Sequence, residues 1–164
     1  MVVLQERVLR DVISEVLETM FFTDVDFEEC DTGSLPFEYG SETLLVNPRG
    51  CIVLNLRMGE KFARMITANF LGLDELKADT VGEEELVDSL KEFSNMVAGG
   101  CHAHVNDADW KLGIPRAWRI GADTTDSTSG LCGICFEFLG EPAGTAFLRY
   151  LPGSGGSAQG PESN

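Results

Sequence analysis

Between Glu83 and His104 the apolar residues Leu86, Leu90, Phe93, Val97 and Cys101 recur at i, i+4 and i+7 spacing. This is the period of an α-helix with one buried face, and it constrains the fold more than any other feature of the chain. At about 100° per residue, Asp88, Glu92, Asn95, Gly99 and His102 fall within roughly 40° of one direction, opposite the apolar stripe. A solvated helix face usually mixes lysine with glutamate. This one presents two carboxylates, an amide and a glycine, the make-up of a contact surface.

A second amphipathic stretch, from about Val3 to Phe22, carries Leu9, Ile13, Val16 and Met20 as its core stripe. It stands in register with the first at an offset of 77 residues: Leu9 with Leu86, Ile13 with Leu90, Val16 with Phe93, Met20 with Val97. The polar stripe repeats too, since Asp11, Glu15 and Glu18 precede Asp88, Glu92 and Asn95 by the same offset. Glycine-led apolar strands, Gly50 to Arg57 and Gly130 to Phe138, follow the two helices, so an internal duplication is expected.

Between the helices, Ser41 to Val46 and Cys51 to Arg57 flank the turn Asn47-Pro48-Arg49-Gly50 and read as a β-hairpin. Gly59 to Leu71 reads as a helix stopped by Gly72. Thr80-Val81-Gly82-Glu83 has capping-box spacing at the start of the long helix. Strands are expected at Ile114 to Ile120, Gly130 to Phe138 and Ala143 to Leu151, while 24–36 and 121–129 read as irregular. The expected fold is α+β: a mixed, largely antiparallel sheet with two long side-by-side helices on one face, built from a pseudo-twofold duplication. Residues 1–151 form one domain, and the Gly/Ser/Pro-rich tail 152–164 has no apolar period and is expected to be disordered.

The formal net charge of −15 argues against nucleic acid or an anionic membrane as partner. No apolar run approaches the roughly 18 residues of a membrane span, and the start lacks a signal peptide's basic region, so a cytoplasmic location is expected. Five cysteines are too few and too scattered for a disulfide framework. Cys132-Gly133-Ile134-Cys135 has redox or zinc spacing, but it lies in an expected strand, where residues three apart point to opposite faces. Cys101 and His104, with Asp107 a turn later, are spaced to share a metal. The plainer reading, which we favour, buries Cys101 and leaves the histidines partly exposed.

The spacing Asp/Ser-x3-Glu-x2-Asn in Asp88 to Asn95, continued by Met96-Val97-Ala98-Gly99-Gly100, resembles the CheX/CheC family of chemotaxis phosphatases. Helix order, the duplicated half, the glycine-led strands and Leu112-Gly113-Ile114-Pro115 extend the resemblance over nearly the whole domain. It implies a phosphatase acting on phosphorylated, CheY-like receiver domains, with Glu92 and Asn95 as the catalytic pair and Asp88 at the leading motif position. Hydrolysis of a phosphoryl group needs mainly an in-line water, which an amide orients without adding negative charge; Asn95 suits that task. By family analogy Glu92 pairs with the receiver's active-site lysine. No cofactor is then expected in this chain, because Mg2+ would be supplied by the receiver. Gly99 would let the receiver approach closely, and His102 falls on the same stripe, so Asp88, Gly99 and His102 are candidate partner-binding residues.

In the first helix Glu18 stands where the pattern would want a second asparagine. That half is expected to be catalytically dead, giving one site as in CheX, and Glu18-Thr19-Met20-Phe21-Phe22 reads as the end of a buried helix. The CheX branch also implies a homodimer formed at a sheet edge. Two other functions are compatible with the residues: a non-catalytic adaptor of the chemotaxis or flagellar switch class related to FliM and FliY, and a metal- or thiol-dependent protein using Cys132/Cys135 or Cys101/His104.

Overall fold

A computed structural model describes residues 4–28, 37–105, 109–121 and 132–153. The elements run α1 (Glu6–Met20), β1 (Asp26–Glu28), β2 (Tyr39–Asn47), β3 (Gly50–Met58), α2 (Glu60–Phe70), a 3-10 turn (Glu75–Thr80), α3 (Glu83–Ala103), β4 (Lys111–Leu112), β5 (Arg116–Arg119), β6 (Cys132–Phe138) and β7 (Glu141–Pro152). The seven strands form one sheet in the order β1-β6-β7-β3-β2-β4, with β5 also paired to β2. Every pairing is antiparallel. The α+β class, the sheet and the side-by-side helices are as expected. The tail beyond Gly153 and the loop from 122 lie outside the described residues.

Strand alternation sends one set of side chains to the helix layer. Ser41, Leu56, Ala146 and Ile134 form one row across four strands, and Tyr39, Met58, Gly144 and Phe136 form the next. All eight positions are buried. α2 lies on the same face, its Phe62 ring 5.7 Å from that of Phe136. The chain leaves α2 through Gly72, whose φ of +70° suits glycine and little else.

α1 and α3 run antiparallel. Val12 meets α3 at Gly100, and the Phe21 ring sits edge-on to Phe93 at 5.3 Å. A Cβ on Gly100 would stand 2.5 Å from Val12 Cγ1, and valine cannot swing away easily because its χ1 is stiff. Gly100 therefore sets the distance between the two long helices. Its neighbour Gly99 has nothing within 4 Å of an added Cβ.

The element order repeats: helix, short strand, hairpin, then again helix, short strands, hairpin. Each short strand joins the hairpin of the other half, β1 on β6 and β5 on β2.

Several local expectations are corrected. Leu9 and Ile13 are buried, but Val16 is half-buried and Met20 is 42% exposed; Val12, Leu17 and Phe21 complete the core stripe. The helix ends at Met20, so Phe21 takes the last core position, stacked 5.1 Å from Phe70. Glu18, Thr19 and Met20 are exposed, as is Phe22 at 76%, so this segment is no buried helix end. Thr80 is not the cap of α3, since its hydroxyl donates to the Lys77 carbonyl inside the 3-10 turn. The cap is Gly82, whose N–H donates to Glu85 Oε2 at 3.2 Å. Glycine has no side chain to complete a reciprocal box. Strand β5 begins only at Arg116, after Pro115, which has no N–H for the ladder.

The N-terminal end of α3 is fixed to the sheet by Arg119. Its Nε donates to Glu83 Oε1 at 2.7 Å and its Nη2 to the Tyr39 hydroxyl at 2.8 Å, with the guanidinium 5.0 Å over the Tyr39 ring. The hydrogen bond and charge of Arg119 hold the Glu83 carboxyl below its ordinary value of 4.5. A carboxyl with a depressed folded pKa contributes stability that is present above its unfolded pKa and lost as pH falls through the folded value. The difference in Tm between wild type and Arg119→Gln is therefore expected to be widest near neutral pH and to narrow below pH 4.5, as read by thermal melts across that range. The glycine pair gives a second expectation. In urea unfolding, Gly100→Ala should lower stability by roughly 1–3 kcal/mol through overpacking against Val12. Gly99→Ala should raise it by about 0.5–1 kcal/mol, because glycine inside a helix costs entropy and no neighbour objects.

Candidate functional site

α3 is a helix for reasons its sequence states. Glu83, Glu84 and Glu85 fill the first turn, where the helix dipole favours negative charge. Leu86, Ser89, Leu90, Phe93, Ser94, Val97, Ala98 and Cys101 are buried. That leaves the stripe Asp88, Glu92, Asn95, Gly99 and His102 turned away from the core.

The five stripe residues are not equivalent. Asp88 and Glu92 are exposed, and Asn95, Gly99 and His102 are half-buried. Asp88 pairs with Lys91 Nζ at 3.7 Å, one helical turn on. Lys91 was not singled out from the sequence, although its i, i+3 spacing from Asp88 was the signal for it. His102 Nε2 donates to the Trp110 carbonyl at 2.7 Å, which ties the end of α3 to the segment leading into β4. Glu92 and Asn95 make no side-chain hydrogen bond or ion pair with any described residue. Glu92, Asn95 and the open surface over Gly99 thus lie together without partners among the described residues, while Asp88 and His102 are engaged locally.

The antiparallel contact brings a residue of the first helix alongside. With Val12 against Gly100 and Phe21 against Phe93, Glu18 comes level with Asn95 on the neighbouring helix. Glu18 is exposed and accepts a hydrogen bond from Ser14 Oγ at 3.2 Å. On the buried side, Ser94 Oγ lies 2.7 Å from Thr43 Oγ1 of β2, both side chains fully enclosed. Neither relation was read from the sequence, because each needs the packing of distant segments.

The sulfur and imidazole candidates separate. Burial pushes the Cys101 thiol up to about 12, so it stays protonated near neutrality, whereas His104 is exposed. Asp107 lies outside the described residues. Cys51 is free and Cys135 is disulfide-bonded, which removes Cys135 as a ligand. Among the described residues no group of three or more His, Cys, Asp or Glu side chains could hold a metal ion. Nor is any described helix long and apolar enough to cross a membrane.

What Glu92 and Asn95 offer chemically is one charged acceptor and one amide with both donor and acceptor capacity, on a rigid helix and open to a macromolecule. Known proteins show a matching architecture. The described helix layer and sheet superpose on chemotaxis protein CheX from Vibrio vulnificus with a TM-score of 0.71 at 16% identity, over 88% of this chain and 97% of that one. The CheX-CheY-BeF3-Mg+2 complex from Borrelia burgdorferi matches with a TM-score of 0.67 at 15% identity, over 88% and 96%. FliY from Thermotoga maritima matches with 0.57 at 12% identity, over 88% and 84%. At such identities these likenesses show the fold. No curated protein sequence matches significantly. The sequence model of the family described as chemotaxis phosphatase CheX matches residues 46–139, more than half of the chain and all of α3, so this protein belongs to the chemotaxis phosphatase CheX family.

Proposed function

We propose that this protein hydrolyses the phospho-aspartate of a response-regulator receiver domain. The observation that carries the reading is the pair Glu92 and Asn95, outward on one stripe of α3 and free of described partners, beside the open surface over Gly99. Side chains without a hydrogen-bond or ion-pair partner among the described residues are available to a second protein.

On this reading α3 lies across the receiver's phosphorylation site. The Asn95 amide oxygen accepts from a water and its NH2 donates to phosphate, holding the water opposite the scissile bond. The water oxygen bonds phosphorus as the bond to the aspartyl oxygen breaks. The products are inorganic phosphate, which takes both of the water's protons, and a restored carboxylate. Glu92 pairs with a lysine of the receiver and fixes the docking. Mg2+ belongs to the phosphorylated substrate. In the first helix Glu18 stands where the pattern would want a second asparagine, and a carboxylate there repels a phosphoryl group, which leaves one active site per chain. Homodimerisation through a sheet edge, at β1 or at β4 and β5, belongs to the same reading.

The structural likeness to FliY supports a second reading, a non-catalytic adaptor of the flagellar switch class. An adaptor has no need of the Glu92 and Asn95 pair, so the two are separated by following phosphate release from phosphorylated receivers. Asn95→Ala is expected to lower the maximal rate by about 10²-fold or more with little change in binding. Glu92→Ala should weaken binding by about ten-fold or more as well. If both variants match a wild type that accelerates release, the site is wrong; if the wild type accelerates none, the adaptor reading stands. Gly99→Leu, whose Cβ would meet nothing within 4 Å, should keep wild-type stability and lose receiver binding in a titration with a beryllofluoride-activated receiver.

A further inference from the structure

The buried face of α3 contains two serines where an amphipathic helix on a sheet ordinarily carries aliphatic residues. Ser89 Oγ is enclosed without a hydrogen-bond partner. Ser94 Oγ instead meets Thr43 Oγ1 at 2.7 Å, and both residues are fully buried. Thr43 sits in the middle of β2, paired to Leu54 of β3. Burying two hydroxyls costs desolvation that one mutual hydrogen bond only offsets, and an apolar pair of the same shape would stabilise the core about as well. What such a pair supplies is direction. The remaining buried residues of α3, Leu86, Leu90, Phe93, Val97, Ala98 and Cys101, are held by packing, which carries no hydrogen-bond direction.

Ser94 is the residue before Asn95. Other described side-chain hydrogen bonds from α3 to distant residues lie at its ends, through Glu83 and His102. The Thr43 bond is the directional contact at the level of the stripe. A helix of about 10–12 Å diameter carries its side-chain tips about 5–6 Å from the axis, so a 20° rotation moves them by about 2 Å. A displacement of about 1 Å in a water-orienting group is enough to cost up to about 10²-fold in rate.

We propose that Thr43 and Ser94 are positioning residues for the dephosphorylation reaction, their buried hydrogen bond setting the rotation of α3 and hence the direction in which Asn95 presents its amide. The proposal rests on the role given to Asn95 above. It is tested on the full chain with Thr43→Val/Ser94→Ala, Thr43→Val alone and Thr43→Ser, using receiver dephosphorylation under saturating and limiting receiver. The double variant removes both polar groups and is expected to melt within a few degrees of wild type. Its kcat should fall at least about ten-fold with KM within about two-fold, since Glu92 and the outer surface are intact. Thr43→Ser, which keeps the hydroxyl, should retain wild-type kcat. A folded double variant with wild-type kcat overturns the proposal, as does a Thr43→Ser variant as impaired as Thr43→Val. If the double variant fails to fold, the isosteric Thr43→Val carries the same comparison.

A second measurement separates this proposal from the functional reading beneath it. Residual dipolar couplings of the α3 backbone amides, compared with those of β2 and β3, report the helix orientation without any substrate. They are expected to change in the double variant and not in Thr43→Ser. If wild type accelerates phosphate release from no receiver, the functional reading fails and these couplings decide the positioning claim alone: unchanged couplings overturn it.

Discussion

The contact on which the rest of the molecule depends is the close antiparallel approach of α1 and α3 where Gly100 leaves room for Val12. Once the helices touch there, the Phe21 ring can reach Phe93 and Phe70, and the two helices cover one face of the sheet as a single layer. Adjacent glycines on one helix thus serve different sides, Gly100 facing the partner helix and Gly99 facing open space.

A site of this kind carries its chemistry on a helix surface rather than in a cleft. It has no walls to exclude water, and its two polar side chains are exposed or half-buried. Strong electrostatic stabilisation requires a desolvated setting. On the proposed function that setting forms only when a second protein covers the stripe, so the two chains make the active site jointly. The chain's heavy negative charge has its place in that picture, since it discourages free phosphate compounds from collecting there.

The parts of the fold legible in the sequence are those fixed by local period. The hairpin around Asn47 to Gly50 and the extent of α3 follow from alternation, turn residues and an apolar stripe of adequate length. Local pattern failed where a long-range contact decided the outcome. Met20 has the right spacing for the core, but the helix ends there and Phe21 turns inward to other aromatic rings. Thr80 has the right spacing for a cap, yet its hydroxyl is engaged one turn earlier. His102 lies on the polar stripe by angle, and only the arrival of Trp110 shows that its ring is already bonded. Thr43 and Ser94 look like surface residues in sequence, since nothing short of tertiary structure shows two hydroxyls facing each other in a core. For the site, the grouping of Glu92, Asn95 and Gly99 was visible in the helical projection; which groups remain free was not.

The exchange of short strands between halves has a consequence for how the molecule is made. β1 follows α1 directly but finds its partner in β6, so Asp26 pairs with Glu137 and Phe27 with Phe136. The central ladder joins Gly50 to Pro152. As the chain leaves the ribosome, the hairpin β2–β3 can close at once, yet β1 and the inner edge of β3 stay unpaired until the last two strands emerge. Pairings this distant in sequence are slow to form, because loop-closure entropy must be overcome before the contacts reward it. Neither half can complete its own sheet, so the molecule is expected to gain its native structure in one late, cooperative step.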